Sequence, residues 1–173
     1  MENRIARCVH AGLGALASLL ASSIVALPSA SAVVIPMHAA RAGHSATLLD
    51  DGRVIVVGGL RESTHSAELY DPGTARWQRL PGMPDARSDH TATRLPDGRM
   101  LVAGGFGAAT APASSDLYDP RTQRFTAGPP LRTPRGHHTA TALANGDVLL
   151  VGGLSGFSPL AAVEQYDAAA GHF

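Results

Sequence analysis

The sequence has a single cysteine, Cys8, and no lysine. One cysteine cannot form an internal disulfide, so the stability of the chain has to come from packing and hydrogen bonds. The 14 arginines are balanced by 14 acidic residues, which leaves a formal net charge of zero. A chain without a basic surplus lacks the electrostatic footprint of proteins that bind nucleic acids or anionic membranes. We therefore expect neither a disulfide scaffold nor a nucleic-acid partner.

Residues 1–32 have the pattern of a secretory signal peptide. Arg4 and Arg7 form a positive start, residues 11–27 are apolar, and Ala30 and Ala32 are the small residues that signal peptidase requires. The apolar run is short for a bilayer-spanning anchor, which is the alternative. We expect cleavage after Ala32, a secreted or periplasmic location, no cysteine in the mature chain and no membrane association.

Glycine and proline are plentiful, with 19 and 12 copies, and favour short strands joined by many turns. One segment, GHSATLLDDGRVIVVGG at 43–59, returns in similar form at 89–105 and 137–153. Each copy has two strand-forming runs separated by Asp-Gly or Asn-Gly, which predicts a β-hairpin with a type I′ turn. The second run is apolar at four consecutive positions, so we expect it to be covered on both faces. These patterns predict an all-β protein.

Other landmarks repeat in step with the hairpin. Tyr70, Tyr118 and Tyr166 are each 48 residues apart, and an aromatic residue follows each of them by seven positions. One such period has room for four short strands. In the first copy we place them at residues 44–49 (a), 53–57 (b), a third ending at Tyr70 (c) and a fourth containing Trp77 (d). The spacing varies only between the Gly-Gly pair and the tyrosine, so the b–c loop is the variable one.

A Gly-Gly pair after an apolar strand, then Tyr-Asp-Pro-x-Thr and a later aromatic residue, resembles the kelch repeat. The resemblance covers residues 37–173 and implies a β-propeller of four-stranded antiparallel blades, at about 37–82, 83–130 and 131–173. The third copy departs from the pattern at Ala168 and Ala170 and stops as its fourth strand begins. Because propellers close with about four to eight blades, we expect these blades to be part of a larger propeller. The alternative is that three-bladed copies associate with each other.

Residues that recur in every copy are predicted to be structural. Each copy has an arginine three positions before a histidine, and an acidic residue (Glu68, Asp116 or Glu164) that could pair with the arginine. The recurring tyrosine and Trp/Phe positions are expected to pack between blades, each tyrosine hydroxyl with a hydrogen-bond partner. The predicted structural set is Arg41, Arg87, Arg135, His44, His90, His138, Gly58, Gly59, Gly104, Gly105, Gly152, Gly153, Tyr70, Tyr118, Tyr166, Trp77, Phe125 and Phe173.

Catalytic signals are weak. The sequence has no G-x-S-x-G nucleophile elbow and no cluster of metal-ligand spacing besides the adjacent His137 and His138. Copper oxidases resembling galactose oxidase need a cysteine that the mature chain would lack. We therefore predict no catalytic residues, no metal and no cofactor, and keep as an alternative a carbohydrate-active enzyme resembling sialic acid mutarotases.

Residues that do not recur are better candidates for a binding site. In an antiparallel blade the b–c loop and the connection from d to the next a emerge on one face. We predict a protein or carbohydrate ligand on that face, and a binding module as the function; a fragment without independent function is a further alternative. The predicted ligand-binding residues are Arg61, Glu62, His65, Asp85, Phe106, Arg132, Ser155 and Phe157.

Overall fold

The computed structural model describes residues 35–60, 65–107 and 113–173, which form strands and turns without a helix. The predicted signal peptide, Arg61 and Glu62 lie outside these residues. The first two groups of strands are β1 (Ser45–Leu48), β2 (Val54–Val57), β3 (Ala67–Asp71) and β4 (Arg76–Leu80), then β5 (Thr91–Arg94), β6 (Met100–Ala103), β7 (Ser115–Asp119) and β8 (Arg124–Ala127). The third comprises β9 (Thr139–Ala142), β10 (Val148–Val151), β11 (Leu154–Ser155), β12 (Ser158–Pro159) and β13 (Val163–Tyr166).

The strands form antiparallel sheets that correspond to the predicted blades. The first two sheets have four strands each, in the orders β1-β2-β3-β4 and β5-β6-β7-β8, and the third has the order β13-β10-β9. Beyond β13, a bridge between Asp167 and His172 begins the turn that precedes a fourth strand in the other blades. The predicted fold class, all-β with kelch-type blades and an incomplete third blade, is confirmed. Among the described residues, no helix is long and apolar enough to cross a membrane.

The hairpin turns differ from the predicted type. A type I′ turn needs positive φ at both central residues, but here only the glycines have it, with φ of +83° at Gly52, +85° at Gly98 and +93° at Gly146. In the first turn, the amide of Gly52 donates to the carbonyl of Leu49 over 3.1 Å. The amide of Leu49 donates to the carbonyl of Arg53 over 2.8 Å. This is a three-residue loop that ends in a left-handed glycine at a bulge.

The side chain before each glycine explains why the type I′ prediction is wrong. Asp51 Oδ1 accepts a hydrogen bond from the amide of Arg53, over 3.0 Å. Asp97 and Asn145 make the same contact with the residue two positions on, at 2.9 and 3.2 Å. Such Asx contacts hold the local turn, and these three residues keep negative φ.

The apolar b strands form the core between blades. One cluster joins Ile55 and Val57 of the first blade to Met100, Val102 and Tyr118 of the second. A second cluster joins Leu101 and Ala103 to residues of the third blade: Val148, Leu150 and Tyr166. The prediction of burial on both faces is confirmed for β6, all of whose residues are buried. It is wrong for β10, where Leu149 is half-buried and Val151 is exposed, because no blade among the described residues covers that face.

The recurring arginine and acid form a pair inside each blade, as the pattern suggested. Arg41 bonds to Glu68 at 2.8 Å, Arg87 to Asp116 at 2.9 Å and Arg135 to Glu164 at 2.8 Å. The other terminal nitrogen of each arginine donates to the carbonyl of the first glycine of the Gly-Gly pair, as Arg87 does to Gly104 over 2.8 Å. Each arginine therefore ties the segment before strand a to the end of strand b and to strand c.

The recurring aromatic residues pair across strands c and d of one blade. Ring centroids are 5.0 Å apart in Tyr70–Trp77, 4.8 Å in Tyr118–Phe125 and 5.4 Å in Tyr166–Phe173. Tyr118 and Tyr166 also pack against the preceding blade, as predicted. The expected partner for each tyrosine hydroxyl is not found at these two residues, whose buried oxygens form no hydrogen bond with any described residue. Burial raises the pKa of Tyr118 to about 12, so this hydroxyl stays neutral.

Candidate functional site

One end of the sheets, here called the loop face, carries the b–c loops and the connections that enter the next strand a. Backbone contacts hold these segments against one another. Gly59, after β2, donates its amide to the carbonyl of Arg87 over 3.1 Å. Phe106, after β6, exchanges two backbone hydrogen bonds with Ser88, of 2.7 and 2.9 Å. The loops and connections thus emerge on the same face, as antiparallel topology requires.

Phe106 and His137 are in contact on this face. Their ring centroids are 5.1 Å apart at an interplanar angle of 60°. The Phe106 ring also lies over Gly136, where an added Cβ would meet ring carbon Cε2 at 2.4 Å. The ring therefore occupies the space of a missing side chain, and its position depends on glycine at 136. Phe106 as a whole is half-buried.

The b–c segment of the third blade is a short hairpin of β11 and β12. Ser155 pairs with Ser158 across it, and Gly156 takes a left-handed φ of +62° in its turn. Phe157 lies at the tip and is 101% exposed. Two backbone hydrogen bonds between Leu154 and Gly136, of 2.8 and 2.9 Å, fasten the hairpin to the connection that leads into β9. Phe106, Ser155 and Phe157 therefore belong to one continuous surface.

Two further residues of this surface, Asp89 and His137, were missed by the sequence analysis. Each directly precedes a recurring histidine, and Gly43 holds that position in the first blade. All three have left-handed backbones, with φ of +66° at Gly43, +52° at Asp89 and +51° at His137. The amide of Asp89 donates to Gly43 over 2.7 Å, and that of His137 donates to Asp89 over 3.0 Å. These bonds run from blade to blade, just before the neighbouring strands β1, β5 and β9.

Asp89 and His137 bring opposite potential charges close together on the loop face. Asp89 Oδ1 and His137 Nδ1 are 3.7 Å apart, and His137 is more than half exposed. The signal that could have found them is the repeat alignment, because one structural position carries Gly, Asp and His in successive copies. A position that the scaffold fixes while its side chain varies is a place where a site can be built.

The other predicted ligand-binding residues are attached to different parts of the framework. His65 is exposed, and its backbone carbonyl accepts a hydrogen bond of 2.8 Å from the amide of Met83. The carboxylate of Asp85 accepts a hydrogen bond of 2.6 Å from the Ser114 hydroxyl. The same carboxylate lies 3.4 Å from the Arg87 guanidinium. Arg132 donates its backbone amide to Glu164 over 2.7 Å, while its side chain is exposed. Asp85 and Arg132 thus also take part in the contacts of the arginine–acid pairs.

Of the recurring histidines, His90 and His138 are buried at the blade junctions and His44 is exposed. In the part of the chain that the structure describes, no group of three or more His, Cys, Asp and Glu residues is arranged to hold a metal. Burial and the nearby Arg87 lower the pKa of His90 to about 3. Burial and Arg135 likewise lower the pKa of His138 to about 4. Both imidazoles are neutral at pH 7 and are held by hydroxyl groups of the preceding blade.

The opposite end of the sheets, here called the turn face, has an acidic cleft of about 410 Å³. Its lining includes Asp50, Asp51, Asp97 and Asp119. Each of these carboxylates forms an ion pair with an arginine, such as the pair Asp51–Arg53 at 2.6 Å. The negative charge of the cleft is therefore balanced within the protein itself.

Comparison with known families matches residues 40–84 to the kelch motif. The matched segment contains β1 to β4 and the start of the connection to the second blade. A search of curated proteins found no match. The kelch resemblance drawn from the repeated Gly-Gly, Tyr-Asp and aromatic positions is thus confirmed. The second and third copies carry the same landmarks, and the second forms the same four-stranded sheet.

Proposed function

We propose that this kelch-motif chain is an exported binding module that recognises a partner protein through its loop face. The observation that carries the proposal is Phe157, which is fully exposed at the tip of a hydrogen-bonded hairpin. Aromatic side chains are the commonest anchors of protein interfaces, because they bury a large area at small cost in side-chain entropy. Residues 1–32, with their signal-peptide pattern, support export.

The hairpin that carries Phe157 is already ordered. Its bonds to Gly136 and the Ser155–Ser158 pair hold the backbone before any partner arrives. Ordering a loop on binding costs conformational entropy, and a preformed hairpin avoids most of that cost. Phe106, half-buried beside His137, adds an apolar surface next to the anchor. Asp89 and the exposed side chain of Arg132 supply polar groups of both charges for a rim around it.

A carbohydrate ligand is a second candidate, favoured by one specific arrangement. Phe106 offers a ring against which a sugar could stack, and Asp89 and His137 lie beside it with hydrogen-bonding groups. The same carboxylate and imidazole would be the acid–base pair if the chain were a carbohydrate-active enzyme. In either case Asp89 and His137 would matter more than Phe157, which separates this candidate from protein binding.

Pull-down from the extracellular or periplasmic fraction of the source cells tests the proposal. We expect the purified chain to retain a specific protein, and Phe157→Ala to weaken its binding by about 1–2 kcal/mol without lowering the melting temperature. Arg121→Ala is the matched control, because the Arg121 side chain is also largely exposed, at 84%, but lies on the turn face. Loss of binding in the control with retention in Phe157→Ala would show that the wrong face was chosen.

A glycan array probed with the same proteins tests the second candidate. Binding of a glycan that is lost in Asp89→Asn and His137→Ala but kept in Phe157→Ala would replace protein recognition by carbohydrate recognition. Turnover of the bound glycan, followed by nuclear magnetic resonance, would identify an enzyme.

A further inference from the structure

The hairpin turn between strands a and b of the third blade differs from the other two in its charges. In the first two blades an aspartate and an arginine form an ion pair across the turn glycine. These pairs are Asp51–Arg53 and Asp97–Arg99, both at 2.6 Å. The equivalent residues of the third blade are Asn145 and Asp147. Asn145 Nδ2 donates to Asp147 Oδ2 over 2.7 Å, so an amide–carboxylate contact takes the place of the ion pair.

Asp147 also ties this turn to the rest of its blade. Gln165 Nε2, on β13, donates to Asp147 Oδ2 over 2.7 Å, and the amide of Ala168 donates to Oδ1 over 3.1 Å. The hydrogen bonds from Ala168 and Gln165 lower the pKa of Asp147, so its side chain is ionised at pH 7. One carboxylate therefore holds together the hairpin turn, strand β13 and the turn that follows β13.

Asn145 is followed by glycine, and this dipeptide is chemically labile. Asparagine is among the thermolabile residues, and a glycine after it leaves no side chain in the path of the reaction. In deamidation the backbone nitrogen of Gly146 bonds to the side-chain carbonyl carbon of Asn145, and the amide hydrogen leaves with the NH2 group as ammonia. Water then opens the resulting succinimide to aspartate or isoaspartate. Asn145 is the only asparagine in residues 33–173.

The folded turn holds both reacting groups away from this path. The amide of Gly146 donates to the carbonyl of Leu143 over 2.9 Å. The Asn145 side chain is held at both ends, because its Oδ1 also accepts from the amide of Asp147 over 3.2 Å. Gly146 lies against the second blade, where an added Cβ would meet Pro96 Cγ at 2.5 Å. The reaction needs the Asn145 side chain to turn toward the Gly146 nitrogen, and so it has to await a local opening of the turn.

We propose that Asn145 is a deamidation site that the fold protects through Asp147, and that its product keeps the turn from closing again. The aspartate product places a second carboxylate where the Asn145 amide group now donates to Asp147. Two carboxylates at that distance repel each other. The same carboxylate is tolerated in the first two blades because an arginine lies two positions further on. The site lies on the turn face, at the opposite end of the sheets from the proposed ligand-binding residues.

Peptide mapping of the purified chain by mass spectrometry measures the reaction directly. The tryptic peptide of residues 136–173 contains Asn145 and no other asparagine, and conversion of the amide to a carboxylate raises its mass. In mildly alkaline buffer we expect the folded chain to react at least about tenfold more slowly than the same chain in urea, because the folded turn opens rarely. Equal rates in the two samples, or an unfolded chain that keeps its amide, would overturn the proposal.

Two variants test the role of Asp147 in the folded chain. Asp147→Ala removes the hydrogen bond that holds Asn145 Nδ2 and should speed deamidation several-fold. Gln165→Ala is the matched control, because it removes a different hydrogen bond of the same carboxylate and leaves the one to Asn145. It should change the rate less. Equal rates in the two variants would show that Asp147 does not protect Asn145.

A third experiment tests the effect of the product. Asn145→Asp imitates the aspartate form and should lower the melting temperature more than Ala144→Asp, which adds the same charge one position earlier, where the first blade has Asp50. Asn145→Asp should also cost less stability when Asp147→Arg is present, since the two changes together restore the ion pair of the other blades. Equal melting temperatures for Asn145→Asp and Ala144→Asp, or the same cost in both backgrounds, would contradict the repulsion.

Discussion

The Nε2 atom of His90 lies 2.8 Å from the hydroxyl of Ser45, across the junction between the first and second blades. The other ring nitrogen of His90 is buried and forms no hydrogen bond within the part of the chain that the structure describes. Burial, with the nearby Arg87, lowers the pKa of this imidazole to about 3. The imidazole that joins the two blades is therefore neutral at pH 7.

We predict that acid weakens the fold through His90 and His138. In the unfolded chain a histidine takes up a proton near pH 6.5, whereas folded His90 does so only near pH 3. Between these values the unfolded state binds more protons, so the free energy of unfolding falls as the pH falls, by up to about 1.4 kcal/mol per pH unit for a fully neutral histidine. Above pH 7 this contribution to pH dependence is absent.

Urea denaturation of the parent protein and of His90→Gln at several pH values between 7 and 4.5 measures this effect. The parent should lose stability more steeply than the variant, because glutamine does not titrate. The comparison is needed because Glu68 acts in the same direction, its pKa being lowered by Arg41 and His38 although burial opposes this. Equal slopes for the two proteins would contradict the role given to His90.

Gly104 and Gly152 allow a matched test of the blade junction. Both have a left-handed backbone, so alanine carries a similar conformational cost, about 1 kcal/mol, at each. Only at Gly104 does the new methyl group collide with the next blade, at the carbonyl of Arg135. Gly104→Ala should therefore lower the free energy of unfolding by a further 1–3 kcal/mol, roughly, beyond Gly152→Ala.

Chemical denaturation of the two variants gives the two values. If Gly152→Ala destabilises the monomer as much as Gly104→Ala, the close contact with the next blade has no energetic importance.

The Arg87–Asp116 pair is predicted to be costly to break. Both side chains are fully buried, so Arg87→Gln leaves a carboxylate without its charged partner and should destabilise the protein by about 3–5 kcal/mol. Replacing both residues by leucine removes the unpaired charge and should recover part of the loss. The exposed pair Arg121–Asp119 is the control, and Arg121→Ala should cost less than about 1 kcal/mol. Similar losses from Arg87→Gln and Arg121→Ala would show that burial does not govern these pairs.

Export can be tested at the N-terminus of the mature protein. Mass spectrometry of the protein recovered from the extracellular or periplasmic fraction should find Val33 as its first residue, because Ala30 and Ala32 occupy the positions that signal peptidase reads. Replacing Ala32 with a bulky residue such as Phe should block cleavage and leave the precursor in the cell. A product that retains Met1 would contradict the predicted signal peptide.

The repeated framework could be predicted because it is local and periodic. Alternating turns and apolar runs specify strands, and a residue type that returns at a fixed interval, such as Arg87, must meet the same surroundings in every blade. The pairing of Arg87 with Asp116 followed from that argument. The turn type could not be predicted in this way, because Asp-Gly is compatible with more than one hairpin loop. The hydrogen bond from the amide of Arg53 to the Asp51 side chain selects among them.

The candidate site was only partly predictable, because it is made of residues from different repeats. Phe106 and Phe157 were found as residues that do not recur, but nothing local to either indicates that Gly136 connects them. Asp89 and His137 lie 48 positions apart and meet only because the strands that follow them, β5 and β9, run side by side.

The sequence by itself determined the all-β class, the blade repeat and the arginine–acid pairs, since each depends on contacts that recur with the 46- to 48-residue period. Only the tertiary structure decided how one blade joins the next. The histidine of each junction bonds to a hydroxyl 45 to 47 positions away, and the exposure of His44 and Val163 depends on which blades are neighbours. Packing between blades is non-local, so no pattern within a single repeat predicts which blade faces are exposed to solvent.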